Sequence, residues 1–205
     1  MTRLILVRHG ETTWNDAQRF QGQTDVPLNA HGWQQAERLA ELLTQEPIAA
    51  IYSSDLARSR DTARVIAARL HKAIVCEPRL REAYLGELQG LGYAQVRRRW
   101  FRESDPLPCY FVDDAPPGVE SLRQLQTRVL RAVCDIVARY EDETVLIVMH
   151  GACLRAVFCA WLGIELSAHT QLNFDAGAVS KVELNSHGAV VTQLNDTAHL
   201  CAQEA

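Results

Sequence analysis

Four short apolar runs, Leu4 to Val7, Ile48 to Tyr52, Ala73 to Cys76 and Thr144 to Met149, alternate with longer stretches of helical period. That alternation predicts parallel strands with helices packed on the sheet. Between the runs, Trp33 to Leu43 carries Ala36, Leu39, Ala40 and Leu43 at steps of three and four, one face of a helix. Leu56 to Leu70 and Val119 to Tyr140 read the same way. Near the end, Ala178 to Leu184 and Ala189 to Leu194 flank the turn cluster Asn185-Ser186-His187-Gly188, which predicts a hairpin. The expected fold is an α/β three-layer sandwich: a mostly parallel central sheet, helices on both faces and the C-terminal hairpin on its edge. At 205 residues one domain, 1–205, is expected.

The least regular stretch is 80–118, where Asp105-Pro106-Leu107-Pro108 and Ala115-Pro116-Pro117-Gly118 break any long element. It reads as a lid-like insertion of loops and short helices over one sheet end. A net charge of -4 carries no general attraction to nucleic acid, so an anionic ligand has to be held by local charge. The apolar start, Leu4 to Val7, is too short for a signal peptide and runs at once into Arg8 and His9. No stretch reaches the roughly 18 apolar residues of a membrane span. A cytoplasmic protein without membrane or nucleic-acid partners is expected. Oligomeric state is not written in the sequence, with a homodimer left open. Cys76, Cys109, Cys134, Cys153, Cys159 and Cys201 show no close metal or redox spacing and are expected to be small buried apolar residues.

Two of the strand candidates stop alike. Leu4-Ile5-Leu6-Val7 runs into Arg8-His9-Gly10, and Val145-Leu146-Ile147-Val148-Met149 into His150-Gly151. Ligands of open α/β sheets bind outside the carboxyl ends of the strands, so parallel neighbours would bring both imidazoles into one crevice. The run ending at Tyr52 continues through Ser53-Ser54-Asp55 to Arg58, in the first turn of the next helix. A cation there is misplaced with respect to the helix dipole unless an anion lies nearby. Two imidazoles and two arginines, Arg8 and Arg58, converging on one crevice point to an anionic ligand and to catalysis.

These residues also match a family. Leu6-Val7-Arg8-His9-Gly10-Glu11-Thr12-Thr13-Trp14-Asn15 resembles the signature of the histidine phosphatase superfamily, which includes cofactor-dependent phosphoglycerate mutases and many small phosphatases. The resemblance continues in order through Asp25-Val26-Pro27-Leu28-Asn29, Tyr52 to Ala63, Leu80-Arg81-Glu82, Gly118-Val119-Glu120-Ser121-Leu122 and His150-Gly151; only Leu91 to Pro117 matches poorly. It implies a metal-independent, cofactor-free phosphohydrolase acting on a small phosphorylated metabolite. Neutral His9 would attack phosphorus to give a phosphohistidine. Arg8 and Arg58 would hold phosphate oxygens with their planar forks, and His150 would add a donor. By the same resemblance Glu82 is the acid that protonates the leaving oxygen and the base that then activates water. Asn15, Gln21, Gly22 and Gly151 are further phosphate contacts carried over in this way.

The alternative within the family is a phosphoglycerate mutase, which returns the phosphoryl group to the substrate. Gly86-Glu87-Leu88-Gln89-Gly90-Leu91 resembles mutases. Yet Leu85 stands where mutases commonly carry tyrosine, Tyr93 where they carry lysine or arginine, and Ala152 where they carry asparagine. Three polar substrate contacts are thereby lost, and the shorter lid region admits water, so hydrolysis is the expected outcome. Arg97-Arg98-Arg99, with Trp100 and Arg102, is either a second anion site or the solvated face of a short helix, and the second reading is the expected one. Outside the enzyme class, an inactive phospho-ligand-binding module would not need nucleophile and proton donor together. A metal on His9 and His150 would be repelled by Arg8 and lacks a third ligand at a motif spacing.

Overall fold

The computed structural model describes residues 1–105 and 110–201. The expected break at Asp105-Pro106-Leu107-Pro108 lies, from Pro106 onward, outside the described residues, as does Cys109. The chain runs β1 (Thr2–Arg8), α1 (Thr13–Asp16), α2 (Ala30–Leu42), β2 (Ile48–Ser53), α3 (Ala57–Arg69) and β3 (Ile74–Cys76). It continues with α4 (Tyr93–Trp100), α5 (Leu122–Val137), β4 (Thr144–Met149), α6 (Gly151–Leu162), β5 (Val179–Asn185) and β6 (Gly188–Asp196). One sheet in the order β3-β2-β4-β1-β5-β6 results. Its first four strands are parallel; β5 runs antiparallel to β1, and β6 antiparallel to β5 at the edge.

All six residues of β4 are buried, because a central strand covered on both faces has no solvent side. Alternate residues feed two cores. Leu4 and Leu6 of β1 and Val145, Ile147 and Met149 of β4 join the core that contains α5 and α6, whereas Ile5, Val7, Leu146 and Val148 join the one that contains α2 and α3. Hence the three layers, and hence unbroken apolar runs rather than alternation.

Each amphipathic helix buries the stripe its spacing foretold. In α5 that stripe is Leu122, Leu125, Val129, Ala132, Val133 and Ile136. Truncating the fully buried Leu125 to alanine would cost about 2–5 kcal/mol. Caps, not the first apolar residue, set the starts. Asn29 accepts from Gly32 N at 2.8 Å, so α2 opens at Ala30 rather than Trp33. Ser121 and Gln124 form a capping box, so α5 opens at Leu122 rather than Val119. Periodicity does not mark α6, whose Gly151 to Leu154 and Ala156 to Cys159 are all buried; a helix covered nearly all round shows no polar face. It stops at Gly163, which takes the left-handed conformation at φ 65°.

Within 80–118 the structure has a short 3-10 turn at Gly86–Leu88 and the eight-residue α4. Among the described residues the cysteine expectation holds for Cys153 and Cys159 only. Cys76, Cys134 and Cys201 are exposed. Cys76 ends the edge strand β3, Cys134 sits beside the buried stripe of α5 rather than in it, and Cys201 follows the last short turn of the described chain.

Candidate active site

The sheet order sets β4 between β2 and β1, so three carboxyl ends meet. The backbone N–H of His9 donates to Met149 O at 3.0 Å and that of Ser54 to Val148 O at 3.1 Å, extending the ladder just past the strands. The rings of His9 and His150 therefore lie 5.1 Å apart, inclined at 61°. Gly10 turns the chain away against the start of α2, where a β-carbon would come 2.5 Å from Gly32 O. Glycine is required there by space.

The two nitrogens of His9 have different tasks. Nδ1 lies 2.7 Å from Gly10 O, and because a carbonyl can only accept, Nδ1 carries the proton. Nε2 is left with its lone pair, and Arg58 Nε donates to it at 3.2 Å. Burial, then the charges of Arg58 and Arg8, hold the His9 pKa well below 6.5, so the ring is neutral at neutral pH. Arg58 is only 1% exposed. Its Nη2 donates to Gly22 O at 2.8 Å and its Nη1 to Thr24 O at 3.0 Å. Burial brings its pKa down to about 10, which leaves it charged. Gly22, at φ +52°, thus serves Arg58 through its carbonyl. The start of α3 is capped from a distance, Asp25 Oδ1 accepting from Ala57 N at 2.6 Å.

Several buried polar atoms around His9 have no hydrogen-bond partner among the described residues: Arg8 Nε, both ring nitrogens of His150 and Oε1 of Gln21. An unsatisfied buried donor or acceptor costs about 1–3 kcal/mol. Their concentration at one point marks a place built for a polar ligand. Among the described residues Arg8 is held by a single side-chain hydrogen bond, from Nη1 to Phe174 O at 2.5 Å. His150 is fully buried, and burial followed by the charge of Arg58 sets its pKa well below 6.5. Gly151 opens α6 against Arg8, and the helix dipole adds positive potential there.

Glu82 arrives from the irregular segment. Its Oε1 accepts from Ala83 N at 2.9 Å and its Oε2 from Ala152 N at 3.1 Å, which fixes the carboxyl plane. Asn15 is held through Oδ1 by Thr12 N and Thr12 Oγ1 in the capping box of α1. All the anticipated residues except His150 line one cavity of about 280 Å³, and His150 lies beneath it against His9.

Sequence reasoning missed part of the wall. Phe20, Tyr110 and Arg155 also line the cavity. Arg155 stands one helical turn after Gly151 on the same side of α6, a spacing that could have been read had that helix been recognised. Its Nε donates to Leu172 O at 2.9 Å, and its two terminal nitrogens make no hydrogen bond among the described residues. Phe20 packs edge-on against Tyr93 at 4.7 Å and Tyr110 at 5.6 Å. Burial raises the pKa of both tyrosines, so their hydroxyls stay protonated. Of the three positions expected to differ from mutases, Tyr93 and Ala152 line the cavity, while Leu85 is buried in the hydrophobic core. Arg97, Arg98 and Arg99 do not line it; Arg98 and Arg99 are exposed and Arg99 stacks on Trp100, 4.4 Å from the ring centroid. That is the solvated helix face. No three His, Cys, Asp or Glu side chains among the described residues group to hold a metal ion.

Known proteins resemble this chain over nearly its full length. The model of the histidine phosphatase superfamily (branch 1) matches residues 4–197. The chain is 37% identical over 207 residues to the metal-independent phosphoserine phosphatase of Arabidopsis thaliana, with 98% of this chain and 84% of the relative covered. It is 35% identical over 210 residues to the probable phosphoglycerate mutase GpmB of Enterobacter sp. (strain 638), with 98% and 96% covered. The solved structure of Bacillus stearothermophilus YhfR superposes with a TM-score of 0.88 at 33% identity, covering 98% of this chain and all of that one.

Proposed function

The chain belongs to the histidine phosphatase superfamily and is a phosphatase, and we propose that it hydrolyses small phosphomonoesters through a phosphohistidine on His9. One observation carries this reading: a neutral imidazole on the pocket wall, its Nδ1 tied to Gly10 O, keeps Nε2 unprotonated, and the lone pair that here accepts from Arg58 Nε is the one that would attack phosphorus beside Arg58 and Arg8. In the first step Nε2 forms a bond to phosphorus as the ester P–O bond breaks, and the leaving oxygen takes its proton from Glu82. In the second, water attacks phosphorus and gives a proton to the Glu82 carboxylate as the N–P bond breaks. Charge on the equatorial oxygens is met by fixed donors, Arg8, Arg58, His150 and the start of α6. Asn15 and Gln21 add polar contacts, and Gly22 acts by anchoring Arg58. Glu82, Tyr93 and Tyr110, from the described part of 80–118, line the cavity, which supports reading that stretch as a lid over the site.

Arg155 narrows the substrate. Its terminal nitrogens suit a second anionic group about one helical turn from the phosphate site, so a small phosphomonoester bearing a carboxylate is favoured. O-phosphoserine, named in the Arabidopsis relative, is of this kind. Mutase turnover has less support, because Tyr93 and Ala152 stand on the cavity wall where mutases carry a cation and an amide. Among the described residues no helix is long and apolar enough to cross a membrane, and we place the protein in the cytoplasm.

The deciding experiment assays EDTA-treated protein on O-phosphoserine, p-nitrophenyl phosphate and 3-phosphoglycerate. Hydrolysis that survives EDTA and disappears in His9→Ala is expected, with little isomerisation of phosphoglycerate. An active His9→Ala protein would remove the mechanism; isomerisation faster than hydrolysis would make it a mutase.

A further inference from the structure

Glu82 occupies a stretch, Arg81 to Leu85, that belongs to no helix or strand, so no ladder holds its backbone. A proton donor must be kept within a few tenths of an ångström of its target, and something outside the segment has to fix it. Gln23 Nε2 donates to Glu82 O at 3.1 Å and Cys153 Sγ to Arg81 O at 3.2 Å, but the groups that make the most contacts come from α5 and from the residue preceding its N-cap. Arg128 Nη1 donates to Arg79 O at 2.7 Å and Arg81 O at 2.9 Å, and Nη2 reaches Glu82 O at 3.4 Å. One guanidinium thus serves three carbonyls within four residues.

The fork is itself held. Glu120 takes Arg128 Nε on Oε1 at 2.9 Å and Nη2 on Oε2 at 2.7 Å, a two-point ion pair. The same carboxylate accepts from Tyr84 N at 3.0 Å, and Glu120 N donates to Tyr84 O at 2.6 Å. Backbone on both sides of Glu82 is therefore clamped by one pair of side chains that does not line the cavity. Lysine would not reproduce the arrangement, since it lacks the planar fork.

We infer that Arg128, braced by Glu120, is a positioning residue for the proton transfer by Glu82, holding the segment of Arg79 to Tyr84 so that the carboxyl meets the leaving oxygen. The inference rests on the acid–base role proposed for Glu82, and the test separates the two. It compares kcat/KM on p-nitrophenyl phosphate, whose leaving group needs no proton, with that on an alkyl phosphate, whose leaving group does. Glu82→Gln should lose far more on the alkyl ester. Arg128→Met should lose in the same sense, about 10- to 100-fold on the alkyl ester and less than about threefold on the aryl ester, where positioning of the acid is irrelevant. Arg128→Lys should fall between Met and wild type. The Glu82→Gln/Arg128→Met protein should be no slower on the alkyl ester than Glu82→Gln alone, because two changes acting through one step do not add.

Equal losses on both esters in Arg128→Met, or full additivity in the double variant, would show a merely structural role and overturn the inference. If Glu82→Gln itself slows both esters alike, the acid role falls and the positioning role with it. Should Arg128→Met fail to fold, Glu120→Gln supplies the same readout with a smaller expected leaving-group effect, and an unchanged ratio of the two esters in that variant overturns the inference as well.

Discussion

The two halves of the pocket are built differently. One half is the sheet end: His9, His150 and Arg8 leave strands whose neighbours on both sides are hydrogen-bonded, and Arg58 leaves a helix packed on that sheet. The other half is made of Phe20, Glu82, Tyr93 and Tyr110, from loops and the start of a short helix, plus Arg155 from α6. In the first, position is dictated by a ladder that the whole fold stabilises. For the loop residues of the second it depends on a few side-chain clamps and ring contacts. The phosphoryl-holding chemistry common to every substrate sits on the rigid half; the other half carries discrimination together with the acid Glu82, which therefore needs its clamp.

The contrast breaks most visibly at His9. His9→Ala should lower kcat by at least about 10⁴-fold on every phosphomonoester, because the covalent route is gone and only binding remains; stopped assays with several esters check that the loss is uniform. Arg58→Met comes next, about 10²- to 10³-fold, again independent of the ester. A strong substrate dependence in either variant would mean that the two halves are not separable.

Arg155→Met tests the adjustable half. It should weaken kcat/KM for O-phosphoserine about 10- to 100-fold, the worth of a charge-assisted contact, while p-nitrophenyl phosphate changes little. Steady-state kinetics on the two substrates decide it.

A smaller effect appears in stability. His9 and His150 have folded-state pKa values below the 6.5 of the unfolded chain, so below that pH the unfolded state binds more protons. Stability is complete above pH 6.5 and falls as the pH drops beneath it, by up to about 1.4 kcal/mol per pH unit for each buried neutral imidazole. His199, also depressed by burial, adds to the slope. Urea unfolding between pH 7.5 and 5 measures it, and His9→Asn should remove one contribution. Smallest of all, Arg98→Ala and Arg99→Ala lie on the solvated face of α4 and should leave kcat/KM within about twofold.

Much of the rigid half was legible beforehand. Unbroken apolar runs located β1, β2 and β4, and the repeated His-Gly at two strand ends located the crevice. The helix dipole argument singled out Arg58 as a cation in need of an anion, although its partners in the protein proved to be carbonyls and a lone pair. Less of the other half was legible. Glu82 came from family resemblance because nothing local distinguishes it. Arg155 was hidden because α6 is buried nearly all round and shows no period. Leu85, counted among the lost substrate contacts, turned out to belong to the core.

By itself the sequence determined which segments are strands, which faces of α2, α3 and α5 are buried and which residues carry reactive nitrogen or charge, since those follow from local spacing and polarity. Only the tertiary structure decided the strand order that brings residues 9, 58 and 150 together, the proton on Nδ1 rather than Nε2 of His9, and the clamp from Arg128 to the backbone of Glu82. The strand order and the clamp depend on contacts between segments tens of residues apart, and the proton on the backbone turn at Gly10 that the packing of α2 imposes, none of which a local pattern encodes.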